Sequence, residues 1–524
     1  MQETIEFIKQ AFDLKSQKCY KQAIEMLYKA LELENDNPEI LFQLGELYFL
    51  LRNLPRASHY LEKVLQKNEN HIETLKLMQK IYVFSDEKEL AFKTAEKIFE
   101  LQKNPENLVE LIKTSAKTNN FKKIEALENS DQTNDKVLFE IANAYYGNED
   151  FATAKNKLEK ALNINPQNDD ALVLLGKIYF DENNFEKSKE IFNSFPKTTE
   201  NAEVLNYLGL FALEDLKFIE AIKYFSKASN LNKKNHKYLY NLGNAYFYNG
   251  WIKEAVQSYV QAICMAPDNL GYRSSLAYLY YEQKNFEKAQ KEIDYILEHN
   301  AEYGLAHVLN ALLKLNNKDF LGAQQELETN LKNGNNDNFT LVSLADVYKE
   351  LLMFEKAEKT IKKVIANNCE SLNYQCQLAE IYIAEKKYDE ALDIVKKVLE
   401  KNENYITAYS IGAKSAYAKG DFAAAKDFAQ NAISLDMNYA SGYFYLAMVR
   451  FSENDFDEAI ECMKRAIMYD VNNAEYYAKM SEIYKAKEDY KTALDYIKEA
   501  ESISGANEYK LIYKDLASIC RKLK

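Results

Sequence analysis

Apolar residues recur along the chain in short stripes with helical spacing, and the stripes come in pairs. In segment 239–246, Leu239 is followed by further core-type residues three, four and seven positions later, which places all four on one helix face. Segment 255–262 carries a second stripe, and Asn249-Gly250 between the two is typical of a turn. Pro267 cannot continue the second helix, so the pattern predicts two short helices folded back on one another. The two stripes consist of Leu239, Leu242, Gly243, Tyr246, Ala255, Tyr259 and Ala262.

The paired stripes repeat with a period of 34 residues, marked by an alanine in each second stripe. Another small residue recurs twelve positions before most of these alanines, and an aromatic ring stands three positions before most of them. A fixed period of this size predicts an array of stacked helical units. The alanines are Ala23, Ala57, Ala91, Ala154, Ala221, Ala255, Ala289, Ala323, Ala357, Ala391, Ala425, Ala459 and Ala493, with Ser188 in the same role.

This pattern of small and aromatic positions resembles the tetratricopeptide repeat family from about residue 4 to about residue 504. The resemblance implies an all-α fold, a right-handed α-solenoid superhelix of about fifteen tetratricopeptide helical hairpins. It also implies that the first helix of each hairpin lines a concave groove that contacts ligands.

The fourth unit departs from the pattern, because Ala91 and Ala154 are 63 residues apart, roughly five short of two periods. Gln79 and Lys113 are expected where a small residue belongs. We therefore expect an N-terminal sub-array of units one to four over 1–128, a polar hinge over 129–136, a main array of units five to fifteen over 137–506, and a C-terminal capping helix over 507–524. The hinge could be flexible or a fixed kink.

Composition and charge limit the classes of partner and the locations that we expect for this chain. The chain is 47% hydrophobic and 28% charged, and its net charge of −13 is dispersed over all units. A nucleic-acid partner would need a concentrated basic stripe, so none is expected. No basic start precedes an apolar stretch, and no window approaches the roughly 18 apolar residues of a membrane span, so we expect neither secretion nor membrane insertion. Six scattered cysteines are typical of reduced, mostly buried residues in a cytoplasmic protein.

No constellation in the sequence predicts catalysis, a cofactor or a metal site. Cys369 and Cys376 are the closest cysteine pair, but no second pair or nearby histidine completes a ligand set. The five histidines are expected mainly at helix ends and surface positions. We therefore expect a protein that is not an enzyme.

The candidate functional surface is the stripe on the other side of each first helix. Residues 240, 244 and 247 lie about 150° from the core stripe, and such positions should be polar if they only met water. In many units they are apolar or aromatic, which predicts a groove that takes an extended or helical peptide. The alternative interpretation is packing between neighbouring first helices. The predicted groove residues are Phe139, Asn143, Tyr146, Phe180, Tyr240, Asn244, Phe247, Tyr278, Tyr281, Leu312, Phe444 and Phe451.

The family's known groove chemistries do not match these positions. A basic clamp for a terminal carboxylate needs lysine and asparagine one helical turn apart, but Tyr240 precedes Asn244 and Phe139 precedes Asn143. We therefore predict a non-catalytic scaffold that binds a protein or peptide. The alternative is a regulatory or accessory subunit of an enzyme complex, such as a glycosyltransferase or a secretion or assembly machine. Self-association through the ends of the array is a further possibility.

Overall fold

A computed structural model describes residues 2–128, 133–368, 370–504 and 506–522, and all regular structure in these ranges is α-helical. The first fifteen helices are α1 (Gln2–Ser16), α2 (Tyr20–Leu33), α3 (Pro38–Leu50), α4 (Leu54–Lys67), α5 (Ile72–Phe84), α6 (Lys88–Leu101), α7 (Pro105–Lys117), α8 (Phe121–Leu127), α9 (Asp135–Gly147), α10 (Phe151–Ile164), α11 (Asp169–Asp181), α12 (Phe185–Asn193), α13 (Ala202–Glu214), α14 (Phe218–Leu231) and α15 (His236–Tyr248). They are followed by α16 (Ile252–Met265), α17 (Leu270–Glu282), α18 (Phe286–His299), α19 (Gly304–Asn316), α20 (Phe320–Lys332), α21 (Asn338–Glu350), α22 (Phe354–Asn367), α23 (Leu372–Ala384), α24 (Tyr388–Lys401), α25 (Ile406–Lys419), α26 (Phe422–Leu435), α27 (Ala440–Ser452), α28 (Phe456–Tyr469), α29 (Ala474–Ala486), α30 (Tyr490–Ser504) and α31 (Asn507–Lys522).

The helices follow the predicted units two by two, so α1 to α30 correspond to fifteen repeats and α31 to the predicted capping helix. Helix packing divides the chain into an N-terminal unit (Met1–Ser258) and a C-terminal unit (Tyr259–Lys524), with the division inside α16. Within each unit most helices pack on their successors, and first helices also pack on first helices, as α7 does on α9 and α19 on α21. The predicted all-α helical-repeat fold is confirmed.

Small residues let the two helices of a hairpin approach closely. The periodic alanines are all buried, and Ser188 is buried in their place while its hydroxyl donates to the Gly176 carbonyl oxygen over 2.8 Å. The partner position on the first helix is equally tight, because a Cβ added to Gly209 would lie 2.6 Å from the Phe225 ring. A larger side chain at either position would force the helices apart.

The turn inside every hairpin contains one residue in the left-handed region of backbone space. Only Gly250 and Gly420 among these turn residues are glycines, although glycine adopts this conformation at least cost. The others have φ between 54° and 67°, and include Leu216 and Leu352, both at 59°. Most of these turns therefore contain a residue whose Cβ is strained by the left-handed backbone conformation.

The fourth unit differs from the prediction in its register. Ile112, which is buried, occupies the position that packs against the second helix, whereas Lys113 is exposed. The prediction that Lys113 takes the position of the small residue in this repeat is wrong. Because α7 begins at Pro105, each residue of the helix lies one position away from its expected place in the repeat. Ile124 stands three residues after Phe121, where other units have alanine, and its bulk fills the space left by the seven-residue helix α8.

Much of the predicted hinge lies outside the described residues, since 129–132 fall there. On either side of it, α7 and α8 share one hydrophobic cluster with α9, in which Ile124 and Ile141 are fully buried. Glu128 receives hydrogen bonds from the Tyr145 hydroxyl over 2.6 Å and from the Lys157 ammonium over 2.8 Å. The apolar core therefore continues from unit four into unit five.

Two expectations, one about the histidines and one about the cysteines, are corrected. His307 is buried in α19, although the histidines were expected mainly at helix ends and on the surface. Of the five cysteines that lie in the described residues, only Cys376 and Cys462 are buried, so the cysteines there are not mostly core residues. In α31, Leu516 is buried against α30, but Leu511 is 62% exposed.

Candidate functional site

The predicted groove residues of the N-terminal unit lie on α9, α11 and α15. Asn143 is exposed, while Phe139, Tyr146 and Phe180 are half-buried against the neighbouring helices. The first helices pack on one another in this region, so part of each half-buried side chain contacts a neighbouring helix and part remains accessible. The packing interpretation therefore holds for the buried part of these side chains, and the peptide groove stays a prediction.

Phe180 is the centre of an aromatic cluster. Its ring lies 5.3 Å from Phe185, 5.2 Å from Tyr207 and 6.0 Å from Phe211, each in an edge-to-face arrangement. Tyr207 in turn stacks on buried Phe192 at 4.5 Å. Because edge-to-face contacts hold a ring in one orientation, Phe180 presents a fixed apolar surface.

Polar side chains surround Tyr146 on the same face. Its hydroxyl donates to Asp181 over 2.8 Å, and the Lys177 ammonium lies 5.4 Å from the ring centroid. Lys177 also pairs with Glu203 at 2.8 Å. Burial, followed by the hydrogen bond to Asp181, raises the pKa of Tyr146 to about 12, so the hydroxyl stays protonated.

A concavity of about 470 Å³ lies between α7 and α9, next to Asn143. Lys113 crosses it, 3.5 Å from Glu140 on α9 and 3.2 Å from Glu110 on its own helix. Burial raises the pKa of Glu140 although Lys113 opposes that shift. The concavity is lined by Lys113, Ala116, Lys117, Asn119, Phe121, Glu140, Asn143, Ala144, Gly147 and Asn148.

This concavity was not predicted from the sequence, because Lys113 was expected at the small core position. The missed signal is Asn104-Pro105. Asn104 caps α7 by accepting a hydrogen bond from the Asn107 amide, and Pro105 is the first helical residue. Proline at the first helical position after an asparagine cap would have set the register of α7.

The predicted groove residues of the C-terminal unit differ in accessibility. Tyr281 and Leu312 are half-buried, and Phe451 lies 6.0 Å from Phe456 at the end of its helix. Phe444 is buried and stacks on Tyr476 at 4.9 Å, so it offers little surface to a ligand.

Four further predicted residues are half-buried and take part in interactions within the fold. They are Tyr240, Asn244, Phe247 and Tyr278.

The described residues contain neither a cluster of metal-ligating side chains nor a helix that could span a membrane. No group of three or more His, Cys, Asp or Glu side chains in those ranges is placed to hold a metal ion. Within the same ranges, no helix is long and apolar enough to cross a bilayer.

Family models described as tetratricopeptide repeat match residues 14–81, 145–208, 236–269, 372–405, 416–483 and 474–507, which is more than half of the chain. The chain belongs to the tetratricopeptide repeat family. The matched segments correspond to hairpins in both units, and the resemblance seen in the sequence is confirmed.

One curated relative is the TPR repeat-containing protein MJ1428 of Methanocaldococcus jannaschii, 24% identical over 255 residues. The match covers 48% of this chain but only 41% of the relative, so the chain spans less than half of that protein's length.

Three solved structures align with the chain at low similarity. The Cut9–Hcn1 hetero-tetramer of the APC/C shows 14% identity and a TM-score of 0.43, covering 97% of this chain and 95% of the other. Yeast Tom70 shows 15% identity and a TM-score of 0.41, covering 99% and 96%. A repeat protein from Parabacteroides merdae shows 21% identity and a TM-score of 0.40, covering 47% and 98%. At these scores the likenesses carry no argument about partners.

Proposed function

We propose that this tetratricopeptide repeat protein is a non-catalytic scaffold of the cytoplasm, which binds a peptide or protein segment along the first helices of its N-terminal unit. The observation that carries the proposal is the concavity between α7 and α9, which opens beside exposed Asn143. Tyr146 follows Asn143 on α9, and Phe180 on α11 is held by its contact with Tyr207. An apolar surface next to a polar recess offers a peptide both burial and hydrogen bonds.

The polar part suits a peptide backbone. Asn143 offers both a donor and an acceptor, and Lys117 adds an exposed ammonium group at the rim. Glu140 and Lys113 already neutralise one another, so a neutral backbone segment can lie over them without leaving a buried charge unpaired.

Full-length protein used for affinity capture from the native lysate should retain a partner, whose bound segment is then synthesised and titrated. We expect Asn143→Arg/Lys117→Glu to weaken binding of that segment by roughly tenfold or more, because the first change fills the recess and the second reverses the rim charge.

The matched control is Asn163→Arg/Lys122→Glu, which makes the same chemical changes at exposed positions on second helices. It should bind like the wild type. Equal binding by the groove variant, with an unchanged helical circular-dichroism spectrum, would refute the proposed groove.

A further inference from the structure

A second apolar surface of the N-terminal unit lies at the turns of two neighbouring hairpins, away from α7 and α9. We call it the turn-edge patch and define it by Leu216, Phe218, Ile219, Tyr248 and Trp251. Leu216 is 73% exposed, Tyr248 61%, Ile219 47% and Trp251 46%. Several large apolar side chains at one surface site are typical of binding surfaces rather than of a solvated turn.

Leu216 is unfavourable for folding in two respects. Its φ of 59° lies in the left-handed region, where a residue with a Cβ is strained, and its side chain meets water. Leucine occupies this turn position in only two hairpins, at Leu216 and Leu352. Elsewhere the position is polar or glycine, as in Lys18, Arg52, Asp86, Asn119, Glu149, Asn183, Gly250, Lys284, Lys318, Lys386, Gly420, Asn454 and Glu488.

Stacking contacts with other rings hold the aromatic members of the patch. Phe218 stacks on Tyr248 with 6.0 Å between the ring centroids, so the α13–α14 turn contacts the end of α15. Trp251 stacks on Tyr246 at 5.9 Å. Rings held in this way lose little conformational entropy when a partner covers them.

A concavity of about 660 Å³ opens within the patch, large enough to receive the side chains of a peptide. Leu216, Phe218 and Ile219 supply its apolar wall, and Lys217 and Lys223 are its two lysines. Asn249, from the turn after α15, also lines it.

The charge around this concavity is opposite to that of the protein. Asp215 accepts hydrogen bonds from Lys189 over 2.7 Å and from Lys217 over 3.0 Å, so two ammonium groups share one carboxylate. Glu220 accepts a hydrogen bond from the Tyr224 hydroxyl over 3.3 Å. Of the residues that line the concavity, Lys217 and Lys223 carry ammonium groups and Glu220 carries a carboxylate, whereas the chain as a whole carries −13.

We propose that the turn-edge patch is a separate docking site for a protein segment in which large apolar side chains alternate with carboxylates. The apolar side chains enter the concavity beside Leu216 and Ile219, and the carboxylates meet the ammonium groups of Lys217 and Lys223. The excess positive charge attracts such a segment and repels a basic one, so association slows as salt concentration rises.

The experiment selects binders from a displayed library of random peptides, with the full-length protein as bait. We expect the enriched peptides to be acidic and to contain at least two large apolar residues. Synthetic copies should change the fluorescence of Trp251, the only tryptophan of the chain, which lies in the patch.

Two variants and two matched controls locate the site. Leu216→Asn/Ile219→Ser and Lys217→Glu/Lys223→Glu should each weaken binding by roughly tenfold. Asparagine tolerates the left-handed conformation, so the first variant keeps its turn. Leu352→Asn repeats the leucine change at equal φ and 72% exposure, and Lys359→Glu/Lys386→Glu repeats the charge change at exposed positions; both should bind normally.

Three results would overturn the proposal. These are enrichment of basic or uncharged peptides, binding that survives both patch variants, and self-association of the free protein that the patch variants abolish. The last would assign the patch to a second copy of the chain. The groove variant Asn143→Arg/Lys117→Glu should leave selected peptides bound, so failure of one proposed site does not imply failure of the other.

Discussion

The imidazole of His307 bridges Glu326 and a backbone carbonyl group. Its Nδ1 lies 2.8 Å from Glu326 Oε2, and its Nε2 lies 2.8 Å from the Ala301 oxygen. Both partners are acceptors, so both ring nitrogens must donate and the imidazole is a cation. Asn310 and Lys314 donate to the other oxygen of Glu326, which completes a polar network between α19 and α20.

This network predicts a pH-dependent stability of the C-terminal unit. The hydrogen bond to Glu326 raises the pKa of His307 above its usual value of 6.5. The stabilisation that protonated His307 gives to the folded unit is therefore complete below pH 6.5 and is lost as the pH rises through the folded-state pKa. The hydrogen bond from His307 lowers the pKa of Glu326 to about 2. The stabilisation that ionised Glu326 gives to the folded unit is therefore complete above pH 4.5 and is lost only in strong acid. Both groups therefore stabilise the folded unit fully between about pH 4.5 and 6.5.

We therefore expect thermal unfolding midpoints to fall as pH rises from about 6 to about 9. His307→Gln should remove most of that pH dependence and cost about 2 kcal/mol at the lower pH, the usual size of a hydrogen bond to a charged group. His59→Gln, at an exposed position, is the control and should keep the wild-type profile. Identical profiles for His307→Gln and wild type would show that the pair does not stabilise the unit.

Gly209→Ala should destabilise the N-terminal unit by about 1–3 kcal/mol, because the new Cβ overlaps a buried ring that cannot turn away. The nearest Phe225 atom would be 2.6 Å from that Cβ. Gly147→Ala is the matched change in a helix, with no atom within 4 Å of the new Cβ. It should be neutral or stabilising by up to about 1 kcal/mol. Urea unfolding measures both, and equal effects would contradict the tight packing of α13 on α14.

Ile124→Ala should cost about 2–4 kcal/mol, because α8 has only seven residues and Ile124 is fully buried in the apolar cluster that it shares with α7 and α9. Ile164→Ala, at a 46% exposed position, is the control and should change the free energy of unfolding by less than about 1 kcal/mol. An effect of Ile124→Ala as small as that of the control would mean that unit four contributes little to the core and that the joint is loose.

Leu216→Gly and Leu352→Gly should each raise the free energy of unfolding by up to about 1 kcal/mol, because glycine removes the Cβ strain at φ 59°. The gain is limited by the greater freedom of glycine in the unfolded chain. Asn183→Gly is the control, since asparagine already tolerates this conformation, and it should change stability less. A loss of stability in both leucine variants would show that the leucines support their turns.

The repeat was predictable from the sequence because it depends on local spacing. Alanines and glycines at fixed intervals determine where two helices can approach, and the structure buries all of these positions. The number of hairpins and their helical nature follow from that spacing. The register of α7 was missed, because Ile112 and Ile124 replace the small residues that mark other units.

The candidate site could be predicted only in part. Spacing places Asn143, Tyr146 and Phe180 on the face opposite the core stripe, but it cannot say how much of each ring a neighbouring first helix covers. That depends on packing between hairpins, which buries Phe444 and leaves Asn143 exposed although both occupy the predicted stripe. The recess beside Lys113 and the stack of Phe218 on Tyr248 join residues from different hairpins. The sequence by itself determined the hairpins because their contacts are local, whereas only the tertiary structure decided which surfaces remain open, because those contacts are made between repeats.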